Sequence, residues 1–236
     1  MRISLDDIQT FSFCPRYYKY SKNSVTSKSK KLSIIDKVIR RAYLRKAEYN
    51  RHSQWKSILG WIDKEVYRNV DMDNEDSFFA ARKLSENILV FVQKWYQFDY
   101  IRNDNPTYVD IFVSYDFVTN VVYGEIPIIE ISEDKPTIKY IDELEYDNLK
   151  IYNDIKVMGW AAMLLEELDI EEIGVKHFFV GPRSGISSDP ATIKKSLCPR
   201  IKETIREIAI SIRSDISYPS YTEMCYTCPF RKQCRI

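Results

Sequence analysis

Apolar positions along this chain change their spacing near residue 105, dividing it into a helical stretch and a strand-rich one. In "SLDDIQTFSFCPRYYKY", Ser4 is a fitting N-cap, and Ile8, Phe11 and Tyr18 recur near helical spacing. From Leu32 to about Phe98 the pattern stays helical, through "SIIDKVIRRAYLRKAEY" and "SFFAARKLSENILVFVQKWYQF". Strand signals then take over. "TYVDIFVSYDF" alternates and is rich in β-branched and aromatic residues. "NVVYGEIPIIEIS" follows a turn at Thr119-Asn120, and "PTIKYIDEL" follows the turn-like "SEDKP". The three runs predict an antiparallel meander. "DNLKIYNDIKVMGWAAMLLEEL" predicts a helix, "IEEIGVKHFFVGP" a fourth strand, and "CPRIKETIREIAISIRSD" a last helix with Pro199 in its first turn. This order predicts a mixed α/β (α+β) core behind a large N-terminal helical portion. No linker divides it, so one domain over 1–236 is expected, mostly helical over 1–105 and sheet-rich over 106–216.

Composition adds limits. Hydrophobic residues make up 44% and charged ones 29% of 236 residues, a balance that fits a packed globular chain. No apolar run approaches the roughly 18 residues of a membrane span. The start "MRISLDDIQTF" carries no signal-peptide pattern, so a cytoplasmic protein with no membrane partner is expected. The formal net charge is +1, so bulk charge does not advertise nucleic acid, and a local basic patch is the remaining route to it. His52 and His177 stand alone and read as packed or surface residues.

The cysteines change the picture most. Cys225, Cys228 and Cys234 form C-x₂-C-x₅-C in "YTEMCYTCPFRKQC". In a reducing compartment such spacing reads as a metal or redox site before a disulfide. Three thiolates need a fourth ligand. Cys14, in "FSFCPRYYKY", and Cys198, in "SLCPR", are both candidates, and four thiolates can hold zinc or an iron–sulfur cluster.

"ISLDDIQTFSFCPRYYKY" and "YPSYTEMCYTCPFRKQC" together resemble the iron–sulfur subgroup of RecB-like PD-(D/E)XK nucleases, which includes CRISPR-associated exonucleases. The resemblance spans the chain, since element order also fits. It implies a restriction-endonuclease-like core and a [4Fe–4S] cluster, with zinc the alternative, held by Cys14, Cys225, Cys228 and Cys234. The cluster would join 217–236 to the N-terminal region.

The same resemblance implies a catalytic centre whose residues are replaced here. Gly124 is followed three residues later by Pro127 where the family has a metal-binding Asp. Lys139 and Ile141 stand in the Asp-x-Lys strand, Arg40 at the His, and Lys156 and Trp160 at the Gln/Tyr pair. Proline offers no ligand atom, and a lysine beside a divalent ion is repelled. Catalytic magnesium or manganese is therefore not expected. The resemblance implies a pseudo-nuclease that binds DNA or RNA through Arg40, Lys139 and Lys156, or serves as a subunit with a protein partner. The alternative is an active exonuclease with a migrated site around Glu125, near Glu130, Asp142, Glu143 and Lys150.

Overall fold

The computed structural model describes residues 1–22, 29–48, 51–70, 75–102, 104–132, 135–142, 151–180, 185–186, 190–220, 223–226 and 228–234. A short strand β1 (Arg2–Ser4) leads into α1 (Leu5–Phe13) and α2 (Pro15–Ser21). Ser4 caps α1 as its sequence suggests: it accepts the Asp7 backbone N–H at 3.0 Å, and the Asp7 carboxylate accepts the Ser4 N–H at 3.1 Å. Then come α3 (Lys30–Leu44), α4 (Arg51–Asn69) and α5 (Glu75–Phe98). The meander is β2 (Thr107–Asp116), β3 (Val121–Ser132) and β4 (Lys135–Asp142), both pairings antiparallel.

The next helix, α6 (Ile155–Glu167), starts later than its apolar pattern suggests. Asp154 caps it, accepting N–H groups from Lys156 and Val157, and Tyr152 and Asn153 form a turn before it. β5 (Glu172–Phe179) returns parallel to β4, as a crossover through a helix permits. Two strands too short to show a period, β6 (Gly185–Ile186) and β7 (Ala191–Lys194), pair with β5, and α7 (Cys198–Arg213) follows.

The seven strands form one mixed sheet with helices on both faces, consistent with the restriction-endonuclease-like α/β core expected from the sequence. On one face α1, α6 and α7 pack over Val113, Val122, Ile126, Ile129 and Ile138. On the other, α3, α4 and α5 pack over Ile128 and Phe178. Residue 121 pairs with both β2 and β1, while residue 128 pairs with both β2 and β4. Hence β1 and β4 share one edge of β3, and β2 forms the outer strand.

Strict alternation would put Ile126 and Ile128 on the same face. They lie in opposite cores instead, and Ile111 and Val109 on β2 are divided in the same way. The two changeovers are opposite each other, at Pro127 and Asp110. Proline has no ladder donor, and Asp110 takes φ 58°, a conformation Asp tolerates better than most residues.

Leu5 wedges between β3 and α6. A methyl added at Gly124 would lie 2.7 Å from Leu5 Cδ1, and one added at Gly159 would lie 2.7 Å from Leu5 Cδ2. Gly124→Ala and Gly159→Ala should each lower stability by about 1–3 kcal/mol in urea unfolding. Their double variant should cost less than the sum, since one leucine must yield to both. Full additivity would show that Leu5 is not the shared obstacle.

Candidate functional site

Where α1, α3, β3, β4 and α6 meet, they enclose an open pocket of about 360 Å³. Arg40, Glu125, Pro127, Ile141, Lys156 and Trp160 line it, so the replaced positions of the nuclease centre implied by the sequence do come together, with one exception. Tyr140 and Asp142 of β4 line it as well, and Asp6, Asp36 and Asp154 complete, among the described residues, a set of five carboxylates against two cations.

Both cations are already engaged. Arg40, in the last turns of α3, holds Asp36 through Nε and Nη2 at 3.0 Å each. Its Nη1 reaches Glu125 at 2.6 Å and also contacts Asp110. Burial opposes its charge, and these carboxylates more than offset that, so its pKa stands above the ordinary arginine value. Lys156 Nζ reaches Asp6 at 2.7 Å and lies 4.8 Å from the centre of the Trp160 ring. Asp154 is pushed up by burial, partly countered by the Val157 N–H it accepts. The pocket thus carries more carboxylate than cation, and it is not the positive cleft that the cationic substitutions suggested.

Lys139 is the exception. Alternation puts residue 139 on the same face of β4 as Ile141, but two residues back along the strand its side chain turns into the α3–α5 core and does not line the pocket. Its side chain is 1% exposed, between Asp99 Oδ2 at 2.8 Å and the Glu130 carboxylate. Tyr43 donates to Asp99 and accepts from Lys139 at 3.3 Å, and Lys176 reaches Asp99 at 2.7 Å. Burial would raise the Asp99 pKa, but the two lysines outweigh it and hold the carboxyl below its usual range. This cluster joins α3 and the end of α5 to the sheet. It is an internal charge network rather than a groove contact, and Glu130 belongs to it too. Glu143 and Lys150 lie outside the described residues.

The cysteines meet at the other end of α1. Pro15 disfavours helical geometry at the residue before it, so Cys14 is extended (φ −162°, ψ 110°) and breaks α1 from α2. Its Sγ then accepts the Tyr17 N–H at 3.4 Å. Cys14, Cys225, Cys228 and Cys234 all line one small cavity, walled by Tyr17, Tyr20 and Phe230. Arg16 donates to the Cys234 carbonyl at 3.1 Å, and Tyr17 meets Phe230 edge-on at 5.4 Å. Cys198 lies elsewhere, 2% exposed in the first turn of α7, where burial raises its thiol pKa. Among the described residues no group of three or more His, Cys, Asp or Glu side chains is arranged to hold a metal ion, at either place.

No protein-family profile matches the sequence, and no curated protein does. Solved structures do. A crystal structure from Eubacterium rectale named "Putative exonuclease" overlaps with a TM-score of 0.57 at 7% identity, over 96% of this chain and 86% of that one. The two chains share a fold. The crystal structure of SSO0001 overlaps at a TM-score of 0.44 and 12% identity, over 99% of this chain and 85% of that one, too loosely to argue from.

Two measurements check these environments. Lys139→Met removes one partner from a buried charge network and should cost about 3–5 kcal/mol in denaturant unfolding. A loss within 1 kcal/mol, about the worth of an exposed pair, would show that Lys139 is hydrated instead. His177 is 2% exposed on β5, its ring 4.8 Å from that of Tyr140, and burial pulls its pKa down to about 4. It is neutral when folded, while the unfolded chain takes up a proton near pH 6.5. Its contribution is therefore full above that pH and lost as pH falls towards 4, on the order of 3 kcal/mol. His177→Gln should flatten unfolding free energy against pH over this interval, and an unchanged slope would contradict the assignment.

Proposed function

We propose that this chain is a pseudo-nuclease: a nuclease-like fold that binds nucleic acid, or serves as a subunit of a nucleic-acid-handling complex, without cutting. The observation that carries this reading is the Arg40 guanidinium, held among Asp36, Asp110 and Glu125. A metal-dependent phosphodiesterase needs free carboxylate oxygens for its cation. Here a permanent side-chain cation takes up those of Asp36, Asp110 and Glu125, and the Pro127 side chain offers no ligand atom.

The reading extends to the cysteines, which we assign to a [4Fe–4S] cluster held by Cys14, Cys225, Cys228 and Cys234. They line one cavity with aromatic walls, and backbone and guanidinium donors approach two of the sulfurs. A cubane cluster spreads its thiolates around a cube, whereas zinc draws four onto one point. When bound, such a cluster would supply cross-linking between chain ends, and thereby stability. The resemblance to the RecB-like iron–sulfur subgroup supports the same assignment.

Incubation with single- and double-stranded DNA and with magnesium or manganese should give no cleavage. Robust cutting abolished by Glu125→Ala or Asp142→Ala would overturn the reading in favour of a migrated active site. Anaerobically purified protein should hold about four iron atoms per chain. Cys14→Ser should lose them and Cys198→Ser should keep them. Stoichiometric zinc without iron would overturn the cluster.

A further inference from the structure

Beyond the Pro127 changeover, towards the start of β3, neither helical layer closes over one face of the sheet among the described residues. Ile3, Val113 and Val122 point into the core there, and their alternating neighbours point outward. Those neighbours include Arg2 on β1, Tyr123 on β3, and Phe112 and Ser114 on β2. Phe112 is 57% exposed. It lies directly opposite Glu125, with Tyr123 opposite Ser114. The rings of Phe112 and Tyr123 stack with centroids 5.5 Å apart and planes 21° from parallel. The Arg2 guanidinium carbon lies 5.6 Å from the Tyr123 ring centre. Glu125 bonds Arg40, so this aromatic face runs directly into the mouth of the pocket described above.

We propose that this open face is a base-stacking platform for single-stranded nucleic acid, with the outer face of the Phe112 ring as the stacking surface, Tyr123 holding that ring in place from behind, and Arg2 as the phosphate contact. The proposal rests on the reading of the chain as a nucleic-acid-handling protein and names the place and form of the contact. Rigid aromatic rings on an open sheet, beside a cation, are the arrangement onto which unpaired bases stack. The small Ser114 leaves the approach open. A duplex keeps its bases stacked on each other and cannot use such a surface. Since the pocket's own cations are paired, contact here depends on bases more than on phosphates. Binding should tolerate any sequence and vary little with salt.

The test uses the whole chain and fluorescence anisotropy with labelled oligothymidylate of about twelve nucleotides, and with an abasic phosphodiester oligomer of equal length. Oligothymidylate should bind more tightly than the abasic strand. Phe112→Ala and Tyr123→Ala should each weaken it about 5- to 100-fold and leave the abasic strand unchanged. Phe112→Trp should retain binding. Arg2→Gln should weaken both ligands and reduce the slope of log affinity against log salt by about 0.7. Binding that ignores both aromatic substitutions would overturn the platform while sparing the wider reading. Failure of both oligomers to bind at low salt would overturn the platform and the nucleic-acid reading together. Phe112-dependent self-association in sedimentation velocity, without nucleic acid, would overturn it in favour of a second copy of the chain. Phe112 is exposed, so its variant should keep its melting temperature and remain interpretable.

Discussion

A proline in the middle of a long strand cannot donate to its neighbour, and β3 has one at residue 127, opposite the left-handed Asp110. At that point the side-chain alternation of both strands changes face. Both halves of β3 therefore feed the core under α1, α6 and α7, through Val122 and Ile126 before the break and Ile129 after it, while Ile128 enters the other core. Ile126 faces α1, α6 and α7, whereas Ile128 faces α3 to α5. The changeover also turns Glu125 and Asp110 towards Arg40 of α3, and it frees the start of β3 from helical cover. Pocket, charge cluster and open face all follow from that one break in period.

Two groups of charges flank the changeover, and they differ in kind. Lys139 with Asp99, Glu130 and Lys176 is almost sealed from water, so its members are tolerated only because each meets an opposite charge. Arg40 sits at the surface boundary, where Glu125 keeps over half of its side-chain exposure. The first group fixes the helical layer on the sheet. The second decides what the pocket offers a ligand.

Much of the fold was readable from the chain because its signals are local. Ser4 with Asp7 announces a helix start, and "TYVDIFVSYDF" alternates as an outer strand should. That Cys14 should lie with the distant C-x₂-C-x₅-C set was implied by a family resemblance, with Cys198 the alternative that spacing alone left open, and the four cysteines do line one cavity. Lys139 was misplaced for a physical reason. It shares its face of β4 with Ile141, which does line the pocket, but Asp99 and Glu130 hold its side chain in the core, and which distant carboxylates a lysine meets is not a local property. No period marks β1, β6 or β7, which are two to four residues long. Phe112 and Tyr123 gave no signal either, since an aromatic residue in a strand reads as core until the cover over that face is known.

A cation carried on a side chain cannot leave. Divalent metals exchange with solvent, so a site that uses them answers to their concentration and empties under a chelator. Arg40 holds its charge at all physiological pH values and at a fixed tether from α3. The charge that Arg40 brings to this pocket is accordingly set when the chain folds, whatever the divalent-ion concentration around it.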